Sequence, residues 1–184
     1  LRLYVAEKWG FIDKSKIAPC WVTEFPMFEL TKDQAITSTH HPFTQPDESF
    51  LHASTKEELL KVKSRAYDLV INGEEVGGGS IRIHDSATQE KIFKVLGLSE
   101  NDIKEKFGFF VEALQYGTPP HGGIALGMDR LIAMITESSS IREVIAFPKN
   151  RVAFCPLTKA PSCVDEAQLT ELKLALIKKE EENV

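Results

Sequence analysis

The sequence predicts an α+β fold, an antiparallel β-sheet flanked by helices. The clearest observation is a β-hairpin, because Asn72-Gly73, a dipeptide suited to a tight turn, separates two runs rich in β-branched residues. Helical patterns occur separately from the strands and do not alternate with them, which argues against a parallel sheet. Of the 184 residues, 42% are hydrophobic and 27% are charged, which is ordinary for a folded domain and not for a disordered chain.

In the first half of the chain, local patterns predict a strand, two helix segments and the hairpin. Ser54-Thr55 followed by Glu57-Glu58 is typical of a helix start. The second hairpin strand contains Gly77-Gly78-Gly79, although glycine normally weakens a strand. The predicted elements are the end of a helix at 3–9, a strand at 21–25, a helix from 54–55, and hairpin strands at 67–71 and 75–84.

The second half predicts mainly helices. Ser99 with Asp102 three residues later approximates a capping box, and Gly117 ends the helix that it opens. The predicted elements are a helix from Asp85 or Ser86 to Leu98, a helix from Ser99, a short buried strand at 124–126, a helix from near Gly127, a strand at 144–147 and an amphipathic helix at 167–179.

Charge and cysteine content limit the class of protein. The net charge of −5 argues against a small nucleic-acid module held by charge alone, but says little about a large enzyme that uses nucleic acid locally. No run approaches 18 apolar residues, so we expect no membrane span and no signal peptide. Three widely spaced cysteines argue against a disulfide framework or zinc site and favour a reducing cytosol.

The second hairpin strand carries polar residues where burial would be expected. Glu75, Ser80 and Arg82 fit a solvated edge strand. They equally fit the floor of an anion-binding site, with carboxylates to hold Mg²⁺ and Arg82 to pair with a carboxylate or phosphate. The glycine run favours the second interpretation, because a solvated strand gains nothing from three consecutive glycines.

Small residues alternate along the stretch 123–127. They would keep one face of a strand flat enough for a planar group, and Arg130 follows at the start of a helix. The alternative is a strand packed tightly under a helix, with Arg130 on the surface.

These stretches resemble a known family. GIALGMDR at 123–130 is similar to the third signature motif of class II aminoacyl-tRNA synthetases, in the subclass for aspartate, asparagine and lysine. Ala125 stands where the general motif has its middle glycine, and its small methyl group preserves the flat strand. Further stretches resemble bacterial-type aspartyl-tRNA synthetases over essentially the whole chain: WVTEFPMFE at 21–29, HHPFTQP at 40–46, YDLVINGEEVGGGSIRIH at 67–84 and IAFPK at 145–149.

The resemblance implies ATP-dependent activation of L-aspartate to aspartyl-adenylate and its transfer to tRNA, with Mg²⁺ and without a protein nucleophile. It assigns L-aspartate to His40 and Arg82, and the catalytic role to Arg130 and Glu75. The implied ATP-binding residues are Glu75, Gly127, Met128, Asp129 and Arg130. The implied Mg²⁺ ligands are Asp68, Glu75 and Ser80.

The resemblance also implies an incomplete enzyme. No stretch matches the first or second class II motif or the anticodon-binding barrel. We therefore expect 1–20 to be the end of an inserted domain with its return segment, and 21–184 the C-terminal part of the catalytic domain, with a natural C-terminus at 178–184. Such a chain would be inactive alone and would expose apolar faces. The full-length enzyme is expected to be a cytoplasmic homodimer that binds no membrane.

Two alternatives remain at this point. A non-catalytic binding module of class II ancestry would be favoured by loss of Arg130, Glu75 or Arg82, yet all three are present. A metal hydrolase built on His40 and His41 would need a third ligand on a rigid element, and the spacing offers none.

Overall fold

A computed structural model describes residues 1–13 and 15–177, so the predicted C-terminus at 178–184 lies outside the described residues. The chain divides into two compact units, Leu1–Leu131 and Ile132–Val184. No helix in the described ranges is long and apolar enough to cross a membrane. The predicted boundary at residue 20 stays a prediction.

The first unit contains the sheet. Four antiparallel strands lie in the order β1 (Pro19–Thr23), β4 (Ala66–Ile71), β5 (Glu74–Ile81) and β6 (Gly122–Leu126), and β2 (Phe28–Leu30) pairs with β3 (Ile36–Ser38) in a separate small sheet. This architecture confirms the predicted α+β class with an antiparallel sheet. Its elements are α1 (Arg2–Lys8), β1 (Pro19–Thr23), β2 (Phe28–Leu30), β3 (Ile36–Ser38), a 3-10 turn (Glu48–Leu51), α2 (Lys56–Leu59), β4 (Ala66–Ile71), β5 (Glu74–Ile81), α3 (Ser86–Val95), α4 (Glu100–Leu114) and β6 (Gly122–Leu126).

Helix α5 (Met128–Ile135) begins in the first unit and ends in the second. The second unit also contains a 3-10 turn (Ile141–Glu143) and α6 (Glu166–Glu171).

Local signals placed the hairpin and the helix starts correctly. Asn72 and Gly73 both adopt positive φ, 52° and 90°, which is the geometry of a tight hairpin turn. Capping boxes join Thr55 to Glu58 and Ser99 to Asp102, as predicted. In both capping boxes, hydrogen bonds to the ionised carboxylate lower its pKa. For Glu58 the main donor is the Thr55 backbone N–H, and for Asp102 it is the Ser99 hydroxyl.

The hydrophobic core lies beside the sheet and joins α2 and α3 to the small β2–β3 sheet. Helix α4 attaches through an aromatic cluster, in which Phe43 stacks on Phe110 at 4.3 Å and Phe93 stacks on Phe107 at 5.1 Å between ring centroids. The core residues are Met27, Phe28, Phe50, Ala53, Leu59, Val62, Ile83 and Ile92. The aromatic cluster therefore holds Phe43, whose carbonyl accepts a hydrogen bond from the Ile83 N–H just beyond β5 at 2.9 Å.

Three predictions about the second half are wrong. Strand β6 is exposed along its whole length, because Ala125 borders an open cleft on one face of the sheet and Ile124 borders a shallow hollow on the other. Residues 144–147 form no strand, since Val144 still has the helical backbone angles that end the preceding 3-10 turn and Phe147 adopts a φ of 54°, outside the β region. The terminal helix is shorter than predicted and ends just before Lys173, whose φ is 55°.

The sheet face opposite β5's polar residues is apolar and accessible. Trp21 on β1 is 59% exposed and Ile124 on β6 is 44% exposed. These two side chains line a shallow hollow together with Tyr67 and Ile81. This agrees with the apolar exposure expected from the sequence.

The glycine run in β5 has two structural causes. A Cβ added at Gly79 would lie 1.9 Å from the carbonyl oxygen of Gly123, and one at Gly77 would lie 2.8 Å from that of Ala125. These two glycines therefore allow β6 to pair closely with β5. Gly78 is different, because its added Cβ would lie 2.5 Å from Oδ1 of Asp68.

We predict that Gly79→Ala destabilises the chain by about 3 kcal/mol, because a backbone carbonyl cannot yield as a flexible side chain can. Gly108→Ala is the matched control. Its Cβ would meet only Cγ of Lys104 at 3.8 Å inside α4, so we expect a gain of about 0.5–1 kcal/mol. Urea unfolding of the two variants checks this, and an equal response would refute the proposed close pairing.

Candidate functional site

A cleft of about 390 Å³ lies on the polar face of the sheet. Its floor is formed by the glycine backbone of β5 and by Ala125 of β6. Most of the residues predicted for the site line it: His40, Asp68, Glu75, Ser80, Arg82, Gly127 and Arg130. Met128 and Asp129 do not line it; they occupy the first turn of α5.

Strand register brings the polar residues to one face. Asp68 pairs with Gly78 and Ala66 with Ser80, so these positions alternate with the apolar positions of the opposite face. The Ser80 hydroxyl is buried and accepts a hydrogen bond from Oγ1 of Thr44 at 3.4 Å.

Two carboxylates converge above Gly78. The missing side chain leaves room for both, since an added Cβ would lie 2.5 Å from Oδ1 of Asp68 and 3.5 Å from Oε1 of Glu75. One or two carboxylates together with substrate phosphates are the usual ligands of Mg²⁺. Residues 1–13 and 15–177 contain no group of three His, Cys, Asp or Glu residues that could hold a metal alone. Asp68 and Glu75 are therefore suited to bind Mg²⁺ together with the phosphate groups of a ligand.

Arg82 follows β5 and is half-buried at one end of the cleft. Its backbone N–H donates to the carbonyl of His121 at 2.9 Å, and its backbone bridges to Thr44. Within the part of the chain that the structure describes, no carboxylate lies within ion-pair distance of its guanidinium group. Its charge is thus available to a ligand.

Arg130 and Gly127 lie toward the other end, at the start of α5. The Arg130 guanidinium donates to the backbone carbonyl of Glu75, and the Gly127 N–H donates to that of Val76 at 2.8 Å. These bonds join the start of α5 to the start of β5. Since a strand rises about 3.3 Å per residue, Glu75 and Arg82 lie at most about 23 Å apart along the backbone.

The two neighbouring histidines have different contacts. His40 packs edge-on against Phe25, with ring centroids 4.8 Å apart. His41 is a residue that the sequence did not assign to this site. Its Nδ1 lies 3.2 Å from the Phe43 backbone N–H and 3.4 Å from Nη1 of Arg82. Both neighbours can only donate, so Nδ1 is the acceptor and the ring proton sits on Nε2.

Burial and, to a lesser extent, the Arg82 charge lower the pKa of His41. The imidazole is therefore uncharged near neutral pH.

A buried glutamine holds the histidine loop in place. Gln89 of α3 is fully buried, and its Nε2 donates to the Pro42 carbonyl at 3.0 Å. Next in the chain, Phe43 is fixed in the aromatic cluster by its stacking on Phe110. The only sequence signal for this arrangement was the uncommon His-His-Pro-Phe run itself.

The cleft thus has a guanidinium group at each end and a carboxylate pair between them. Such an arrangement suits an elongated ligand that is anionic at both ends and binds a divalent cation in the middle.

Comparison with known proteins identifies the family. The family described as tRNA synthetases class II (D, K and N) matches residues 5–151. The chain belongs to this family. The resemblance of the signature stretches to class II synthetases is thereby confirmed.

Relatives of this class II synthetase chain include bacterial aspartate–tRNA ligases. The chain is 58% identical to Aspartate–tRNA(Asp/Asn) ligase 1 of Syntrophus aciditrophicus over 174 residues. This alignment covers 95% of this chain and 24% of the relative. The chain is 48% identical to the Aspartate–tRNA ligase of Clostridium beijerinckii, covering 100% of this chain and 31% of the relative. The chain therefore spans about a quarter to a third of the length of these relatives.

A solved structure supports the fold. The aspartyl-tRNA synthetase of Entamoeba histolytica superposes with a TM-score of 0.55 at 20% identity, over 83% of this chain and 26% of that structure. At this identity the likeness concerns the fold alone.

We predict that Arg82→Gln raises the pKa of His41, because it removes a neighbouring positive charge. The pKa should stay below its ordinary value, because burial persists. NMR titration of the ring C–H signals in the 184-residue chain measures this change. The ¹⁵N shifts of the two ring nitrogens test the proton on Nε2. A deprotonated Nε2, or an unchanged pKa of His41, would contradict the contact between His41 and Arg82.

Proposed function

We propose that this chain supplies the aspartate- and ATP-binding part of an aspartate–tRNA ligase. The full enzyme would activate L-aspartate with ATP and transfer the aspartyl group to tRNA. The observation that carries the proposal is the guanidinium of Arg82, which has no ion-pair partner among the described residues and shares one cleft with the Asp68–Glu75 carboxylate pair. The names of the bacterial relatives support the choice of amino acid.

Arg82 binds the side-chain carboxylate of L-aspartate in this proposal, and His40 lies beside the same substrate. A guanidinium fork can form two parallel hydrogen bonds with a carboxylate, which an ammonium group cannot reproduce. The α-carboxylate of aspartate is then free to attack the α-phosphorus of ATP. The bond to the pyrophosphate leaving group breaks, and aspartyl-adenylate forms.

ATP occupies the other end of the cleft. Arg130 leaves the Glu75 carbonyl to bind the γ-phosphate, and the flat strand that ends at Gly127 supports the adenine. Met128 and Asp129 lie in the first turn of α5, outside the lining of the cleft, and we assign them to ATP binding together with Arg130. Catalysis then rests on positioning and on neutralising phosphate charge, with no protein nucleophile.

Asp68 and Glu75, with Ser80 beside them, would hold Mg²⁺. When bound, Mg²⁺ would neutralise charge on the phosphate oxygens. The residues present fit that role because the two carboxylates converge over Gly78 and leave the remaining ligand positions to the nucleotide.

The remaining proposals concern the whole enzyme. Residues 1–20 are the end of an inserted domain and its return segment, and 21–184 are the C-terminal part of the catalytic domain. The enzyme acts in the cytoplasm as a homodimer, and most contacts with tRNA come from other regions.

A chimaera tests the proposed function. Residues 1–184 replace the matched segment of the Syntrophus aciditrophicus ligase, to which they are 58% identical. We expect aspartate-dependent exchange between ATP and pyrophosphate. The 184-residue chain alone should be at least about 100-fold less active, because it lacks the rest of the catalytic apparatus. A folded but inactive chimaera would favour the non-catalytic binding module, and full activity of the chain alone would contradict its incompleteness.

Arg82→Lys in the active chimaera tests the role of the guanidinium. Loss of a charge-assisted hydrogen bond of about 1.5–3 kcal/mol predicts a drop of about 10–100-fold in kcat/KM for aspartate. The KM for ATP should change little. Equal losses for both substrates would contradict the assignment, and Arg142→Lys, outside the cleft, is the control.

A further inference from the structure

The guanidinium of Arg82 has one side-chain neighbour at hydrogen-bonding distance among the described residues, Nδ1 of His41 at 3.4 Å. The other charged side chains that line the cleft are Asp68, Glu75 and Arg130, and none of them forms an ion pair with Arg82. What orients this guanidinium before a ligand arrives is therefore an uncharged imidazole.

Contacts other than the one with Arg82 also hold His41 in place. Its Nδ1 also accepts the Phe43 backbone N–H, and its ring packs edge-on against the Phe43 ring at 4.6 Å. Phe43 in turn stacks on Phe110, while buried Gln89 holds the carbonyl of Pro42. Helices α3 and α4 thus fix the acceptor to which Arg82 points.

The chemical type of this acceptor matters. A carboxylate at the same place would form a charge-assisted pair with Arg82 and compete with any incoming carboxylate. A neutral nitrogen holds the guanidinium by a weaker bond and leaves its charge uncompensated. An apolar side chain would leave the long arginine side chain free to adopt other rotamers.

We propose that His41 is a positioning and specificity residue. It orients Arg82 as an uncharged acceptor and so preserves the arginine charge for the side-chain carboxylate of the amino-acid substrate. This inference rests on the proposed function and extends it to the selection of a carboxylate over an amide.

Three substitutions in the active chimaera separate the parts of this proposal. His41→Asp should raise the KM for L-aspartate about 10-fold or more and reduce the preference for aspartate over asparagine, because Arg82 becomes paired. His41→Leu should raise the same KM less, about 3–10-fold, by loss of orientation alone. His41→Asn keeps a neutral acceptor and should restore a KM within about 3-fold of the unsubstituted chimaera. The KM for ATP should stay constant throughout.

His52→Asp is the matched control, since it introduces the same carboxylate at an exposed histidine outside the cleft. Thermal unfolding of each variant reports folding. If His41→Asp does not fold, the KM values of His41→Asn and His41→Leu for L-aspartate test the proposal. Equal KM values for these two, or a parallel rise in the KM for ATP, would overturn the role of His41 while leaving the proposed function intact. An inactive unsubstituted chimaera would contradict the proposed function, and the proposal for His41 falls with it.

Discussion

The close pairing of β5 with β6 is the constraint on which the candidate site depends. The carbonyl of Gly123 approaches β5 so closely that a Cβ at Gly79 would lie 1.9 Å from it. This pairing brings Ala125 beside Gly78 and so forms a flat floor under the cleft. It also places Gly127 and Arg130 at the start of β5, opposite the end that carries Arg82.

A second set of contacts completes the other end of the cleft from outside the sheet. The loop at 40–46 pairs with the end of β5, since the Ile83 N–H donates to the Phe43 carbonyl at 2.9 Å and the Gln45 N–H to the Ile81 carbonyl at 2.9 Å. The aromatic cluster and Gln89 anchor the same loop to α3 and α4. The sheet therefore positions the two carboxylates and Arg82, and α5 carries Arg130. Helices α3 and α4 anchor the loop that contains the histidines.

The sequence predicted what depends on neighbouring residues. The turn at Asn72-Gly73 and the capping boxes are local, so their signals are complete within a few positions. Exposure of β6 could not be predicted, because the burial of its side chains depends on what packs against the two faces of the sheet. The hydrogen bond from Gln89 to Pro42 spans 47 residues, and the contact between Arg82 and His41 spans 41. The predicted site residues near the glycine-rich motifs lie in one cleft. The roles of Gln89 and His41 could be recognised only from the tertiary structure.

The central claim is that Arg82 offers an uncompensated positive charge to the side-chain carboxylate of an amino acid. A crystal structure of the chimaera with a non-hydrolysable aspartyl-adenylate analogue tests it most directly. We expect the aspartyl side-chain carboxylate to accept hydrogen bonds from the Arg82 guanidinium, with the phosphate-like group toward Asp68 and Glu75. An analogue bound with its aspartyl side chain away from Arg82 would contradict this role of Arg82.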